Sequence, residues 1–315
     1  VKGTFTLCPG GMEIKMRIFD TRCDTIETIG EMSLYDCDRH YNFKKAAMYN
    51  THIQMLNIWV DNAIHNPRER VDTLIETFNR ETKNVNVIKT SNDLRKASGV
   101  CVLLGIEGGE GIGGKLERLK ELFEKGLRLL TLTWNHQNEI SGTAAENGGG
   151  LTPFGFEVLT ECEHLGIMVD VSHLSDRGFY DVAANAEKPF IASHSNSRAL
   201  CPVSRNLTDD QFRFLVKTGG AAGINLYSKF LGENADLNTV VSHIEHFCAL
   251  GGEYNIGIGS DFDGMDIMPE ELNGAEDLYK LADALAGMNY TDELIDCIFF
   301  KNMENIFMKI LSEIC

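Results

Sequence analysis

The sequence has no apolar stretch of the ~18–20 residues that a helix needs to cross a bilayer, no closely spaced cysteine pairs, no concentrated basic patch, no internal repeat, and no low-complexity or linker-like segment. Each absence excludes something. Without an apolar span, and without a charged-then-apolar N-terminus, neither a membrane partner nor a secretion signal is expected. The nine cysteines, at 8, 23, 37, 101, 162, 201, 248, 297 and 315, are scattered and odd in number, which argues against a disulfide framework and predicts a reducing, cytoplasmic setting. Basic residues number 29 against 46 acidic ones, a formal charge of −17. That balance disfavours nucleic acid and anionic membrane surfaces as partners, and solubility is its simplest role.

What is present is alternation. Apolar, β-branched runs alternate with amphipathic stretches over 315 residues, the pattern of β/α units around a parallel sheet. Strands are expected over 17–24, 53–60, 100–107, 128–134, 167–173, 190–194, 221–226 and 256–261, and helices over 68–80, 114–125, 155–165, 175–186, 208–218, 237–250, 275–287 and 291–311. Asn206 to Asp210 reads as a helix cap with acids in the first turn. Residues 1–16 read as a leader ahead of the first strand, with Met12 or Met16 as a natural start, and 17–315 as one domain. Eight strands favour a closed (β/α)8 barrel of the TIM type over an open sheet. Asp24, Glu107, His173, His194 and Asp261 all fall where different strands should end, which is where barrel enzymes build their sites.

The chemistry reads as metal-dependent hydrolysis. Zinc binds imidazole nitrogen and carboxylate oxygen, and two zinc ions can share a bridging carboxylate. Glu107, flanked by Gly105, Gly108 and Gly109, is placed to bridge. His173 and His194 each end an apolar run. A lone histidine of this kind is more often a core residue, but two at successive strand ends beside Glu107 favour a shared metal. Asp261, in Gly-Ser-Asp-Phe-Asp-Gly, is placed to shuttle a proton; the alternative for Asp261 and Asp263 is an Asx turn. Arg205 is placed either to clamp a substrate carboxylate or to sit on the surface. Trp134 and His136 lie beside a glycine-rich loop at 142–150 that is expected to cover the site, and Tyr227 follows the seventh strand as a further substrate-facing residue.

Taken together and in order, Ile18-Phe-Asp-Thr-Arg-Cys-Asp24, Gly105-Ile-Glu-Gly-Gly109, Leu130-Thr-Leu-Thr-Trp-Asn135, Gly150-Leu-Thr-Pro-Phe-Gly155, Val169-Asp-Val-Ser-His-Leu-Ser-Asp176, Ile191-Ala-Ser-His-Ser-Asn196, Ser204-Arg-Asn-Leu-Thr-Asp209 and Ile258-Gly-Ser-Asp-Phe-Asp-Gly264 resemble the membrane dipeptidase family of zinc peptidases, in its soluble bacterial form, over about residues 17–305. The resemblance implies a (β/α)8 barrel that hydrolyses dipeptides, including some with a D-residue on the C-terminal side, and a homodimer. By matching positions it implies that Glu107 bridges two zinc ions, that His173 and His194 hold one and Asp24 the other, that Asp261 handles protons, and that Arg205 grips the dipeptide carboxylate. Trp134 stands where some members carry a substrate-binding histidine, so His136 is not carried over by motif.

Arg22 departs from the pattern. It stands where the family has a metal-ligating histidine, and a guanidinium has no lone pair to give. A unit positive charge ~4 Å from a divalent ion at an effective dielectric of ~20 costs on the order of 8 kcal/mol before relaxation. Arg22 is therefore expected to pair with Asp20, Asp24 or Glu107 and to fill the metal position itself. Three outcomes follow: a displaced Arg22 beside a weak second site, a fixed cation beside a single zinc, or a catalytically inactive ligand-binding barrel. Another metal-dependent barrel amidohydrolase is the rival within enzymes.

Overall fold

In the computed structural model, which describes residues 14–312, the apolar runs become parallel strands whose ring closes. The strands are β1 (Ile14–Asp20), β2 (Tyr49–Trp59), β3 (Asn86–Val87), β4 (Gly99–Glu107), β5 (Leu127–Thr131), β6 (Met168–Asp170), β7 (Ile191–Ala192), β8 (Ala221–Ile224) and β9 (Ile256–Ile258). β1 pairs with β2, β2 with β4, each later strand with the next, and β9 with β1, all parallel. The two-residue β3 pairs with Cys101 and Val102 of β4, ahead of the stretch that pairs with β5. The ring of eight, with helices between strands, is the expected (β/α)8 barrel.

Strand positions match the expected ones, but most strands stop early. β6, β7 and β9 end at Asp170, Ala192 and Ile258, so His173, His194 and Asp261 stand in the loops beyond. β1 starts at Ile14, and Met16 is buried within it. Residues 1–13, where most of the expected leader falls, lie outside the described residues. The helices follow their signals. Thr208 Oγ1 accepts from the Gln211 N–H at 3.1 Å while Gln211 Oε1 accepts from the Thr208 N–H at 2.8 Å, a reciprocal cap for the helix Asp209–Thr218. Short helices at Thr25–Thr28, Phe43–Ala46, Ser91–Arg95 and Ser228–Leu231 have no counterpart in the expected set.

Strand residues are buried on both faces, as a sheet wrapped by helices requires. Cys101 and Leu103 point into the barrel with Phe19, Ile53, Leu129, Met168 and Ile191, while Val102 and Leu104 pack outward. The last helical segment plugs the N-terminal mouth. It runs as Asp292–Asp296, one wide turn over Cys297–Lys301, then Asn302–Ile310. Phe307 and Phe300 meet Phe19 at 5.0 and 6.3 Å. Met303 fills the space that a Cβ on Gly257 would take, its Cε only 2.5 Å from that point. The apolar plug leaves chemistry to the other mouth.

One buried polar group on the outer side of β2 gives a testable stability effect. His52 is fully buried between the rings of Tyr41 and Tyr49, at 5.5 and 5.6 Å, with Nε2 3.0 Å from Gln54 Oε1. Burial lowers its pKa to about 4. The unfolded chain therefore binds a proton between about pH 4 and 6.5 that the folded chain refuses, and stability falls as pH falls through that window. Asp20 acts oppositely, because burial raises its carboxyl to about 6, so the two slopes partly cancel in the wild type. In His52→Gln only the histidine contribution disappears. Its stability relative to wild type, measured by chemical denaturation, is expected to improve by about 2 kcal/mol on going from pH 7 to pH 5. A pH-independent difference would show that His52 titrates in the folded chain as it does in the unfolded one.

Candidate active site

At the C-terminal mouth the strand ends surround a cavity of 390 Å³ lined by Arg22, Asp24, Glu107, His173, Asp261 and Tyr227 together with Trp59 and Trp134. Glu107 is the last residue of β4 and fully buried. Its Oε1 lies 3.1 Å from His173 Nε2 and 3.4 Å from His194 Nε2, and the two imidazole nitrogens are 3.1 Å apart. Among the described residues, these three form the only cluster of at least three candidate side chains with metal-ligating atoms all within 4.8 Å.

The donor set fits a cation. His173 Nδ1 is 3.1 Å from Asn135 Oδ1, an oxygen that can only accept, so the proton sits on Nδ1 and Nε2 presents its lone pair to Glu107. Burial and the charge of Arg205 lower the His173 pKa to about 3, which keeps the ring neutral. Glu107 Oε1 has no hydrogen-bond partner. A carboxylate oxygen and neutral imidazole nitrogens converging in a buried space repel one another unless a positive ion joins them, and their types suit a borderline divalent metal. This group, with the family assignment below, implies a metal.

The other side of Glu107 belongs to Arg22. Its Nη2 donates to Asp24 Oδ2 at 2.7 Å and to Glu107 Oε2, and its Nε lies 3.4 Å from Asp261 Oδ1. Burial opposes the charged form, but Asp24, Glu107 and Asp261 outweigh it and raise the Arg22 pKa well above its ordinary value. Burial would raise Glu107 as well; the Arg22 guanidinium reverses this and holds it well below the usual carboxylate range. Asp24 goes the other way. Burial, with Glu107 and Asp261 nearby, pushes it well above its ordinary value despite Arg22.

Asp20 does not join this group. Strand β1 ends at Asp20, so the alternation that would align Asp20 with Arg22 and Asp24 stops there. Asp20 Oδ1 instead accepts the backbone N–H groups of Ser260 at 2.9 Å and Arg22 at 3.2 Å, joining the loops after β1 and β9. Asp261 Oδ2 accepts from Asn225 Nδ2 at 3.0 Å. Backbone φ is +70° at His173, +65° at Asp261 and +63° at Asp263. These left-handed conformations in non-glycine residues cost about 1–3 kcal/mol each and cluster where function demands an aim that a relaxed turn does not give. Gly264 is glycine for a related reason, since a Cβ there would lie 2.3 Å from Asp24 Oδ2 and 2.7 Å from Asp261 Oδ1.

Arg205 is buried, with its guanidinium carbon 5.4 Å from the Phe230 ring centroid and no hydrogen-bond partner for Nε or Nη2. Burial lowers its pKa to about 10 although Glu107 and Asp261 oppose this. It is thus no surface arginine. Arg205, His194 and His136 do not line the cavity, and His136 lies furthest out: its ring is half exposed, with Nδ1 2.8 Å from Asp61 Oδ2.

Several site residues escape the sequence reading. Trp59 meets Trp134 edge to face at 4.6 Å, and both form one wall. Glu27 fixes that wall by accepting from the Trp59 N–H and from Arg70 Nη2 at 2.6 Å. Asp263 faces the cavity but accepts from Thr25 Oγ1 and from the His40 N–H at 3.0 Å, contacts to a distant part of the chain and not the local Asx turn expected as its alternative. Asn135 and Phe230 also line the space. Asn135 stood in a quoted motif; Trp59 and Glu27 carried no local signal.

A parallel barrel with a carboxylate and two imidazoles converging at its C-terminal mouth has the architecture of a metallohydrolase. The profile of the membrane dipeptidase family, peptidase family M19, matches residues 15–313, and the chain belongs to that family. It is thereby a peptidase of the metallo-dipeptidase group. Among curated relatives, an uncharacterised Klebsiella pneumoniae protein from the pqqA 5' region is 31% identical over 68% of this chain and 83% of its own length. Human dipeptidase 3 is 29% identical over 77% of this chain. The chain spans about half the length of that human relative, 51%, and 61% of a Schizosaccharomyces pombe dipeptidase. The fold matches a crystal structure of an M19 dipeptidase at TM-score 0.86 and 23% identity, covering 95% of this chain and 99% of the other. It also matches a Rhodobacter sphaeroides metallopeptidase liganded with a phosphinate mimic of the dipeptide L-Ala-D-Ala, at TM-score 0.83 and 23% identity, over 94% and 99% of the two chains. Among the described residues, no helix is long and apolar enough to cross a membrane.

Proposed function

We propose that the chain is a dipeptidase that works with one zinc ion, held by Glu107, His173 and His194, and with the Arg22 guanidinium in place of a second. The observation that carries this reading is the division of Glu107. One oxygen faces two imidazole nitrogens, and the other is bonded by Arg22, which also holds Asp24. Zinc at the first side supplies Lewis acidity and a nucleophile near neutral pH. Arg205, with two buried N–H groups unpartnered, binds the C-terminal carboxylate of the dipeptide. Asp261, aimed by Asn225, takes the proton of the attacking water and passes it to the leaving amine. Arg22 Nη1 is buried without a hydrogen-bond partner and is available to the oxygen of the scissile carbonyl as charge develops on it. Trp59, Trp134, Tyr227 and Phe230 bound the side-chain space, and 390 Å³ suits a dipeptide rather than a longer peptide. L,D-dipeptides fall within this substrate class, as the mimic bound by the Rhodobacter sphaeroides structure suggests. The seven cysteines without disulfides among the described residues support a reducing cytoplasm, and sedimentation tests the homodimer that the family resemblance implies.

The test is zinc per chain by elemental analysis, with hydrolysis of a small panel of L,L and L,D dipeptides by the same preparation. One zinc per chain with turnover is expected. Two zinc ions per chain would mean that Arg22 swings out of the site in solution. Dipeptide affinity without turnover, at zinc content well below one, would establish the inactive ligand-binding barrel.

A further inference from the structure

The mechanism leaves a fully buried acid beside the ligand histidines unused. Asp170, the last residue of β6, is completely buried and accepts four hydrogen bonds. Its Oδ1 takes the backbone N–H groups of Ser172 at 2.9 Å and Ser193 at 2.8 Å. Its Oδ2 takes the hydroxyls of Thr131 at 2.6 Å and Ser193 at 2.5 Å. Ser193 Oγ is also 2.6 Å from His194 Nδ1.

The proton count decides what this chain of contacts does. A serine hydroxyl carries one proton. Asp170 is ringed by donors and takes that proton as an acceptor, so Ser193 Oγ has only lone pairs left for His194. The hydrogen between them must then sit on Nδ1, and Nε2 is left with its lone pair facing Glu107 Oε1, 3.4 Å away, and His173 Nε2, 3.1 Å away. We propose that Asp170 and Ser193 are positioning residues that hold His194 in its Nδ1–H form, through a Nδ1–H to Ser193 to Asp170 relay, so that Nε2 is committed to a metal before any ion arrives. Asn135 Oδ1 does the same for His173 by a single contact. The two imidazoles are therefore aimed by different means, one by an amide oxygen at the cavity wall and the other by a carboxylate two bonds away beneath it. Hydrogen-bonding partners of this kind orient a ligand and raise its basicity, and their loss costs about 10–100-fold in metal affinity.

Asp170→Asn is the informative variant because it reverses the relay without removing volume. The amide keeps an oxygen for the two backbone N–H groups and turns its NH2 toward Ser193 Oγ. The serine then donates to Nδ1, and the imidazole proton moves to Nε2, where it blocks the metal. A comparable wrong-tautomer effect is known for a carboxylate-to-amide change behind a catalytic histidine.

The proposal rests on Glu107, His173 and His194 being the metal group, and the experiment separates the two. Nitrogen-15 NMR of the full chain after chelation reads the His194 tautomer with no metal and no activity involved. Nδ1–H is expected in the wild type and Nε2–H in Asp170→Asn. Zn2+ affinity, by competition with a chromogenic chelator, is expected to fall about 10–100-fold in Asp170→Asn and in Ser193→Ala, with thermal unfolding of the chelated variants checking that each is folded. An Nε2–H signal for His194 in the unmutated chain would overturn the proposal even if neither variant folds. So would folded variants that bind Zn2+ within threefold of the wild type. A wild type that shows the Nδ1–H signal yet takes up no Zn2+ would support the relay while removing the metal reading of the site.

Discussion

Replacing Arg22 with histidine is expected to add one zinc ion per chain and to raise dipeptide hydrolysis, whereas replacing it with alanine is expected to destabilise the fold by about 3–5 kcal/mol. The two outcomes share one cause. The Arg22 side chain is 3% exposed and serves as the counter-ion to Asp24, Glu107 and Asp261, whose side chains are 11%, 0% and 9% exposed. Removing the cation leaves three carboxylates facing one another in a medium that hydrates them poorly, a loss far larger than a surface ion pair would give. A histidine at 22 returns a neutral nitrogen beside Asp24 and Glu107, so a zinc ion can take over the neutralisation. Added zinc should therefore restore much of the stability lost in Arg22→Ala and should stabilise Arg22→His more strongly. Elemental analysis and chemical denaturation with and without zinc check both statements. An Arg22→Ala variant as stable as the wild type in chelator would show that the three carboxylates do not depend on the guanidinium.

Arg205→Met is expected to split stability from function. Arg205 is buried with Nε and Nη2 unpartnered, and a buried donor without an acceptor costs about 1–3 kcal/mol. Methionine fills a similar length without that cost, so the variant should unfold at higher denaturant concentration, by about 1–3 kcal/mol. The same substitution removes the charged hydrogen bonds offered to a substrate carboxylate, worth about 2–5 kcal/mol when desolvated, and kcat/KM for dipeptides should fall about 10²–10³-fold. Dipeptide amides, which lack the carboxylate, should lose far less. Equal loss for acids and amides would mean that Arg205 does not contact that end of the substrate.

The barrel was legible because parallel strands buried on both faces write themselves as apolar runs, and all eight ring strands stand where those runs lie. Their ends were less legible. β6 and β9 stop at Asp170 and Ile258, three residues before His173 and Asp261, whose positive-φ turns are made by residues other than glycine and so carry no turn signal in the sequence. The early end matters at Asp20, the last residue of β1, because strand alternation does not continue to Arg22 and Asp24. The convergence of Glu107, His173 and Arg22 could be anticipated from strand-end placement, since neighbouring strands deliver their ends to one mouth. Asp170 and Ser193 stand close to His173 and His194 in the sequence, yet carry no signal of their own for a part in the site. Their roles depend on which oxygen meets which proton, a matter of ångströms that spacing does not encode. Trp59 and Glu27 meet the site through the packing of the first helix turn against β2, which is long-range information.

Ring closure divides the mouth by order of synthesis. The imidazole side is built by β4 to β7, strands that follow one another in sequence and pair as neighbours. The Arg22 side exists only when β9 returns to β1, joining Asp20 to Ile258, and when the Asp261 N–H reaches the Arg22 carbonyl at 3.2 Å. Contacts so distant along the chain form slowly. The ligand trio is thus drawn from strands adjacent in sequence, whereas Arg22 receives its last carboxylate, Asp261, from the loop after the final strand. The final strand is thus more than a wall, because its loop brings Asp261 and completes the set of carboxylates around the guanidinium.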